Sequence, residues 1–312
     1  MRPILHHYPM SPFAEKIRTL LGFKRLQWTS VLIPPVMPKP DVLALTGGYR
    51  KTPIMQLGAD IYCDTALIAR VLEKLAPEPT IFPCASAGLA PIVARWADSA
   101  LFWTAIPYTL QPAGIAHMFA GAPPEQQQTF MTDRAAFRGS MRMMRPAEAT
   151  QAMTAYLAEL EALLRDGRSW LLGGAASIAD FSVYHCLWFI KRAGSIAALI
   201  DHYPHVQGWF ARMNQIGHGA SDQLDSKEAV ALAAASQSAA VNPDEFLDTH
   251  RIAFGSSVTV AAVDYGCDPV TGELVISRPD EIGVRRTDPR AGTVVVHFPR
   301  IGFEIRKLEP AS

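Results

Sequence analysis

The chain has little cysteine, and what it has is spread widely. Its four cysteines, Cys63, Cys84, Cys186 and Cys267, form neither a Cys-x-x-Cys motif nor a spacing typical of zinc ligands. We therefore expect unpaired thiols in a reducing cytoplasm and no metal site.

The chain also lacks net charge and long apolar runs. Lys plus Arg equals Asp plus Glu, 29 each in 312 residues, so nucleic acid is not expected as the main partner, because phosphate binding needs a net basic face. No segment approaches the length of a membrane span, and residues 1–7 lack the apolar core of a signal peptide. These absences predict a cytoplasmic protein with no membrane partner.

The N-terminal residues show a strand–helix–strand pattern followed by strand–strand–helix. Ser11 is a good N-cap, and Pro12 occupies the favoured first helical position. Gly58-Ala59-Asp60 predicts a hairpin, and Asp64 starts a second helix. This order predicts a compact α/β domain over residues 1–78.

The pattern changes twice after a proline-rich linker. Helical periodicity dominates residues 85–240 and predicts an all-helical domain, with helices at Leu89–Leu110, Pro124–Met144, Ala147–Arg165, Ile178–Ala193, Pro204–Ile216 and Ser226–Ala240. From Ser256 the period becomes two, with turn signals between short runs. Residues 241–312 are therefore expected to form a small antiparallel β domain.

Thr52-Pro53 has two interpretations. An ordinary trans proline would open an edge strand, since few X-Pro bonds in folded proteins are cis. A cis proline would instead expose the backbone N–H and C=O of Thr52 to a peptide laid alongside. The order of the neighbouring elements makes the second interpretation worth testing.

Asp64-Thr65 predicts a helix start that can also bind a ligand. The first N–H groups of a helix bind carboxylates, and the Thr65 hydroxyl can donate as well. Asp64 can hold an ammonium group. A γ-glutamyl end carries both charges on one carbon, so this pair suits it.

Ser11 is the candidate for activating a thiol, and Tyr8 is the rival donor. A free thiol has a pKa of about 8.5 and is only a few per cent ionised near neutral pH. Lowering that pKa by about two units takes roughly 2.7 kcal/mol. One charge-assisted hydrogen bond supplies about 1.5–3 kcal/mol, and the helix dipole supplies about 0.3–1 kcal/mol. A hydroxyl at a helix N-terminus therefore needs no metal ion or general base.

These residues resemble the glutathione S-transferase family. Tyr8-Pro9-x-Ser11-Pro12-Phe13-x-x-Lys16 matches its Ser-Pro-Phe type of active-site helix, and Lys51-Thr52-Pro53 matches its cis-proline position. Asp64-Thr65 stands where the family carries Glu-Ser or Asp-Ser, and Ser177-x-x-Asp180 matches a capping box of its helical domain. The resemblance implies a thioredoxin-like domain followed by an all-α bundle.

The resemblance also implies glutathione as co-substrate, an acceptor site between the two domains, and a homodimer. Ser11 would stabilise the thiolate, and Thr52 with Pro53 would present backbone groups to the cysteinyl residue. Asp64 and Thr65 would hold the γ-glutamyl end, and Lys51 or Arg50 would face the glycine carboxylate. The expected contacts of the acceptor are Phe13, Trp103 and Tyr108.

The predicted function is a glutathione transferase of the detoxification type that attacks an apolar electrophile. One alternative is a glutathione-binding scaffold with little turnover, whose β extension makes the meaningful contact. A thiol–disulfide reductase ranks last, because it needs a cysteine where Ser11 stands. Residues 241–312 have no counterpart in the ordinary family. Three roles stay open for them: they cover the acceptor site, they block the dimer face, or they recruit a partner.

Four arginines share one predicted helical face: Arg134, Arg138, Arg142 and Arg145. They form either a solvated stripe paired with acids such as Glu159 and Glu161, or a positive rim that attracts an anionic ligand.

Overall fold

The computed structural model describes residues 1–247 and 250–308. Its N-terminal unit contains β1 (Ile4–His7), α1 (Pro12–Phe23), β2 (Trp28–Leu32), α2 (Pro40–Thr46), β3 (Ile54–Leu57), β4 (Asp60–Cys63) and α3 (Thr65–Leu75). β1 pairs parallel with β2 and antiparallel with β3, and β3 pairs antiparallel with β4. This arrangement confirms the predicted thioredoxin-like fold.

The helical unit packs against α1. It consists of α4 (Leu89–Trp96), α5 (Phe102–Thr109), α6 (Pro112–Met118), α7 (Pro124–Arg138), α8 (Pro146–Leu164), α9 (Ile178–Lys191) and α10 (Pro204–Ile216). A π-helical turn, Ala97–Leu101, joins α4 to α5. The capping box of α9 is present: the buried Asp180 carboxylate accepts from the Ser177 N–H and from the Trp209 indole, each at 2.9 Å. This carboxylate therefore ties the start of α9 to α10.

The remaining elements extend the N-terminal sheet at both edges. They are β5 (Ser221–Gln223), α11 (Ser226–Ala234), β6 (Ser257–Ala262), β7 (Val270–Ser277), β8 (Glu281–Asp288), β9 (Gly292–Pro299) and β10 (Phe303–Lys307). Strands β6 to β10 pair antiparallel with one another, as predicted.

The sequence did not anticipate how these strands meet the N-terminal unit. β9 pairs parallel with β4, and β5 pairs parallel with β2. The result is one ten-stranded sheet in the order β10-β6-β7-β8-β9-β4-β3-β1-β2-β5. An edge strand exposes unpaired N–H and C=O groups, and β9 satisfies those of β4.

One apolar core crosses the joint between the N-terminal unit and the extension, where β9 pairs with β4. Ile54 and Ile61 of the N-terminal unit belong to the same buried cluster as Val258, Val284 and Val296 of the extension. The domain boundaries at 1–78, 85–240 and 241–312 stay a prediction, since continuity of sheet and core does not define them.

Some helices differ from their predicted lengths. α7 ends at Arg138 rather than Met144, because Gly139 has a φ of 60° and stops the helix. α11 ends at Ala234, and the short helices α2 and α6 were not predicted. Within the described residues, no helix combines the length and apolar character needed to cross a membrane.

A buried histidine lies between two carboxylates at the joint of β4 and β9. His297 Nδ1 is 2.6 Å from Glu281 Oε1, and its Nε2 is 3.0 Å from Asp60 Oδ1. The ring stacks on Tyr62 at 4.4 Å. Burial alone would lower the pKa of His297, but the hydrogen bonds to Asp60 and Glu281 outweigh it and raise that pKa above 6.5.

We predict that this histidine makes stability depend on pH. The folded state holds the His297 proton more tightly than the unfolded chain, so its contribution is complete below the unfolded pKa of 6.5 and is lost as pH rises through the folded pKa. Urea midpoints should therefore fall with pH in that window for the wild type. His297→Gln should flatten this dependence and cost about 3–5 kcal/mol near pH 6, because the buried Asp60 and Glu281 side chains lose their contact with the imidazolium.

His202→Gln is the matched control, since His202 is exposed. If His297→Gln keeps the wild-type slope, the joint does not contain a charged histidine.

Candidate active site

A large cleft lies between the N-terminal unit and the helices, with a cavity volume of about 1180 Å³. Small-molecule sites usually occupy about 300–1,000 Å³, so this cleft has room for two ligands. The predicted site residues that line it are Tyr8, Ser11, Phe13, Lys51, Thr52, Pro53, Asp64, Thr65 and Trp103.

Ser11 places its hydroxyl between the start of α1 and the Thr52 carbonyl. Its Oγ accepts from the Ala14 N–H at 3.2 Å, and its own proton faces the Thr52 carbonyl at 3.5 Å. That second contact is long, since O–H···O bonds usually measure about 2.7–2.8 Å. The Ser11 proton is therefore available to a stronger acceptor in the cleft.

Thr52 lines the cleft beside Ser11. The Thr52–Pro53 peptide bond is cis, which is the less common of the two alternatives. No acceptor for the Thr52 N–H is found among the described residues, and its carbonyl receives the long bond from Ser11. An extended peptide in the cleft can pair with both groups.

Asp64 caps α3 with an unusual backbone, φ 74° and ψ 135°. A non-glycine residue in such a conformation costs of order 1–3 kcal/mol, and such residues cluster at functional sites. The carboxylate accepts from the Ala66 N–H at 2.8 Å and forms no ion pair within the described part of the chain. Burial raises the pKa of the Asp64 carboxyl despite this hydrogen bond. A ligand ammonium group would stabilise its ionised form.

Thr65 is oriented by a buried lysine. Lys16 Nζ donates to Thr65 Oγ1 at 3.2 Å and to Asp98 Oδ2 at 2.6 Å, and His185 Nε2 lies 3.0 Å from Asp98 Oδ1. Burial alone would raise the pKa of the Asp98 carboxyl, but the Lys16 charge and the His185 hydrogen bond outweigh it and lower that pKa. Because its oxygen accepts from Lys16, the Thr65 hydroxyl can turn its own proton toward a ligand.

Lys39 is a cation that sequence reasoning missed. It is 3% exposed, and its Nζ donates to Thr52 Oγ1 at 3.3 Å. No carboxylate lies within ion-pair distance in the residues that the structure describes. Burial, together with the Arg134 charge, lowers the pKa of Lys39 to about 8. Lys39-Pro40 at the start of α2 was the available signal. Lys39 does not itself line the cleft, so its unpaired ammonium acts on a ligand carboxylate there as a charge behind Thr52.

Two cationic side chains, Arg134 and Lys39, contact Tyr8. Arg134 donates to its hydroxyl at 3.4 Å, and Lys39 Nζ lies 5.5 Å from the centre of its ring. The Arg134 guanidinium also donates to the Pro35 carbonyl and lies 3.3 Å from Asp133. The Tyr8 proton is not used by these contacts, so the choice between Ser11 and Tyr8 stays a prediction.

The loop between β6 and β7 enters the cleft, which sequence reasoning also missed. Lys51 Nζ donates to Asp264 at 2.6 Å and lies 4.0 Å from the centre of the Tyr265 ring. Tyr265 packs against Trp103 at 4.8 Å and Phe137 at 5.2 Å. The extension therefore forms part of the cleft wall. No local pattern in the sequence marks Asp264-Tyr265 as more than a turn.

The predicted acceptor residues separate into two groups. Phe13 packs on Phe102 at 4.6 Å, and both line the cleft together with Trp103. Tyr108 does not line it: its hydroxyl donates to the Ile196 carbonyl at 2.8 Å. Its assignment to the acceptor site thus gains no support from its position. Among the described residues, no group of His, Cys, Asp and Glu side chains is arranged to hold a metal ion.

Comparisons with known proteins match both units. The family described as "Glutathione S-transferase, N-terminal domain" matches residues 5–80, and "Glutathione S-transferase, C-terminal domain" matches residues 144–212. No curated protein matches the sequence. Among solved structures, a GST-like protein from Pseudomonas syringae is 40% identical with a TM-score of 0.83, covering 98% of this chain and 99% of that one.

More distant structures share the fold alone. A glutathione S-transferase from Rhodospirillum rubrum is 21% identical with a TM-score of 0.52, covering 68% of this chain and 87% of that one. A glutathione S-transferase I bound with lactoylglutathione is 16% identical with a TM-score of 0.50, covering 69% and 98%. The match to the Pseudomonas protein, at 98% of this chain, thus includes the extension, whereas the other two structures cover about two thirds of the chain.

A thioredoxin-like unit with a cis proline at the cleft, joined to a helical bundle, defines the glutathione S-transferase fold. The two domain matches and the full-length similarity to the Pseudomonas protein identify the family of the chain. It belongs to the glutathione S-transferase family.

We predict that Asp264 restrains Lys51. Asp264→Asn should free the ammonium for a ligand carboxylate and strengthen glutathione binding by about 0.2–1 kcal/mol, the usual value of a partly exposed ion pair. Calorimetric titration measures the difference. Asp268→Asn is the matched control, since Asp268 is exposed on the same loop and does not line the cleft. Unchanged or weaker binding in Asp264→Asn alone would contradict this role.

Proposed function

We propose that the protein is a glutathione transferase that activates the thiolate of glutathione for attack on an apolar electrophile. The observation that carries this proposal is the convergence of three groups at one place. The Ser11 hydroxyl, the free Thr52 N–H and the unpaired Asp64 carboxylate belong to residues that line the same cleft. They match the thiol, the backbone and the ammonium group of one tripeptide.

Each end of glutathione has a complementary partner in this proposal. The γ-glutamyl ammonium pairs with Asp64, and its carboxylate accepts from the Thr65 hydroxyl and the start of α3. The cysteinyl backbone pairs with Thr52 beside Pro53. The glycine carboxylate lies near Lys51, and Lys39 adds a positive charge from behind Thr52. Arg50 contributes less, because it already pairs with Asp133 at 3.1 Å.

The proposed chemistry needs only a thiolate held at the start of a helix. The glutathione thiol gives its proton to solvent, and the sulfur is stabilised by the Ser11 hydroxyl and the dipole of α1. The sulfur lone pair then forms a bond to the electrophilic carbon, and the leaving group departs with the electrons of its own bond. Phe13 and Trp103 provide an apolar surface for the electrophile.

The biological setting is part of the same proposal. Conjugation of an apolar electrophile is a detoxification reaction, and a reducing cytoplasm supplies glutathione. All four cysteines lie within the described residues, and none forms a disulfide, which is compatible with that compartment.

We also propose a homodimer. The outer edge of β4 is already paired with β9, so a second subunit has to use another surface. Light scattering of the purified protein tests this point, and a monomeric mass at working concentration would refute it.

A glutathione-binding scaffold with little turnover is the second candidate. The observation that favours it is the ion pair between Lys51 and Asp264, because this carboxylate of the extension neutralises the Lys51 ammonium beside the proposed tripeptide site. Tight binding without conjugation of any aryl halide would favour this candidate.

Binding should depend on pH through Lys39. The pKa of Lys39 is lowered to about 8, so its charge is present below that pH and lost above it. S-methylglutathione has no titrating thiol, and its calorimetric affinity should fall as pH rises through about 8. Lys39→Met should weaken binding and reduce this dependence to the part that the γ-glutamyl ammonium contributes by its own titration. Absence of binding by the wild type would refute the transferase and the scaffold together.

Ser11→Ala should raise the pKa of the bound thiol. Loss of a hydrogen bond to a charged sulfur costs about 1.5–3 kcal/mol, which corresponds to roughly one to two pKa units. The thiolate absorbance of bound glutathione, followed against pH, measures the shift. Ser11→Thr keeps both the hydroxyl and the helix cap and serves as control. If Tyr8→Phe moves the pKa and Ser11→Ala does not, Tyr8 is the donor.

A further inference from the structure

Helix α7 places an unpaired cation on the wall of the cleft. Phe130, Arg134, Phe137 and Arg138 all line it, at helical spacings of four, three and one. They form one face with two aromatic rings and two guanidinium groups. Arg142 is exposed and does not line the cleft, and Arg145 pairs with Glu148 on the outside. The prediction that the four arginines share one helical face is therefore wrong, because α7 ends at Arg138 and Arg145 stands at the start of α8, paired with Glu148 rather than with Glu159 or Glu161.

The other cations on the cleft wall already have partners. Arg50 and Arg134 share Asp133, at 3.1 and 3.3 Å, and Lys51 pairs with Asp264 at 2.6 Å. Arg134 also lies 4.8 Å from the centre of the Phe130 ring. Within the residues that the structure describes, Arg138 alone among these lining cations has neither an ion pair nor a side-chain hydrogen bond.

Among the described residues, no carboxylate on the cleft wall forms an ion pair with Arg138. Asp98 is held by Lys16 and His185, and Asp64 caps α3. Glu125 lies on the same helix but thirteen residues earlier, about 20 Å along the axis at 1.5 Å per residue. A half-buried guanidinium without a counter-ion is costly beside apolar surface, and a bound anion relieves that cost.

The surroundings of Arg138 define the rest of the ligand. Phe137, Phe130 and Met143, which line the same cleft, are apolar, and the Phe137 ring packs against Tyr265, which in turn packs against Trp103. A ligand at this wall therefore needs an apolar body and one acidic group. The cleft volume leaves room for it beside a tripeptide.

We propose that the electrophile of this enzyme is an organic acid: an apolar body with a carboxylate that Arg138 binds. This inference rests on the proposed transferase function and narrows its substrate class. In the conjugation of an aryl chloride, the glutathione sulfur bonds to the carbon that bears chlorine, and chloride leaves with the electron pair of the C–Cl bond. The thiol proton goes to water. Arg138 touches only the carboxylate and sets specificity.

The test compares chlorodinitrobenzene with its ring carboxylate, chlorodinitrobenzoate. Each kcat/KM is divided by the uncatalysed rate with glutathione, so that only recognition is compared. The wild type should favour the benzoate. Arg138→Gln should lower the benzoate-to-benzene ratio about tenfold, the range of a hydrogen bond to a charged group. Arg138→Lys should keep most of the preference.

Arg142→Gln is the matched control, because it removes the same charge at an exposed position four residues further on, beyond the end of α7 and outside the cleft. It should keep the wild-type ratio. An Arg138→Gln enzyme with the wild-type ratio, or an equal loss in Arg142→Gln, would overturn the proposal.

The failure of the proposed function is recognised separately. If neither halide is turned over, the transferase proposal fails. The role of Arg138 can then still be tested by binding, measured as the quenching of tryptophan fluorescence by the unreactive compounds nitrobenzoate and nitrobenzene. Tighter binding of nitrobenzoate that Arg138→Gln abolishes supports the anion site. Equal binding of both compounds refutes it.

Discussion

The parallel pairing of β9 with β4 is the contact on which the rest of the structure depends. It satisfies the open edge of the thioredoxin-like sheet, and it carries the buried core from Ile61 into Val296. It also fixes the extension against the cleft, so that the loop after β6 places Asp264 and Tyr265 beside Lys51. A segment that sequence alone presents as an appendage thus forms part of the wall of the proposed site.

The cleft is built from helix starts and from charges that lack partners. α1 and α3 both begin there, and each directs its free N–H groups and its positive dipole end inward. On the cleft wall, Arg138 is a cation without a carboxylate in the described chain and Asp64 is a carboxylate without a cation, while the buried Lys39 contacts Thr52 from behind that wall. Folding leaves these groups unsatisfied at some cost, and a zwitterionic tripeptide with an acidic second ligand would satisfy them.

Local signals predicted much of the fold. Ser11-Pro12 marked the start of α1, the Ser177–Asp180 box marked α9, and the bounds of α10 agree with the expected Pro204–Ile216. Gly139 could have ended α7 at its observed place, because glycine commonly stops a helix. These features depend on residues a few positions apart, which is why periodicity and capping rules find them.

The joint and the deeper part of the site could not be predicted in this way. Asp60 and His297 meet across 237 positions, and no local period encodes which strand edge β9 will choose. Asp264 and Tyr265 look like an ordinary turn, and their role follows only from that pairing. The Thr52–Pro53 isomer was likewise one of two alternatives until its neighbours were in place.

A crystal structure of the protein with bound glutathione would show whether the cleft holds the tripeptide as proposed. We expect the cysteinyl backbone to pair with Thr52, the sulfur to lie within hydrogen-bond distance of Ser11 Oγ, and Tyr265 to stay between Lys51 and Trp103. A tripeptide bound outside this cleft, or a sulfur with no hydroxyl from α1 beside it, would contradict the account.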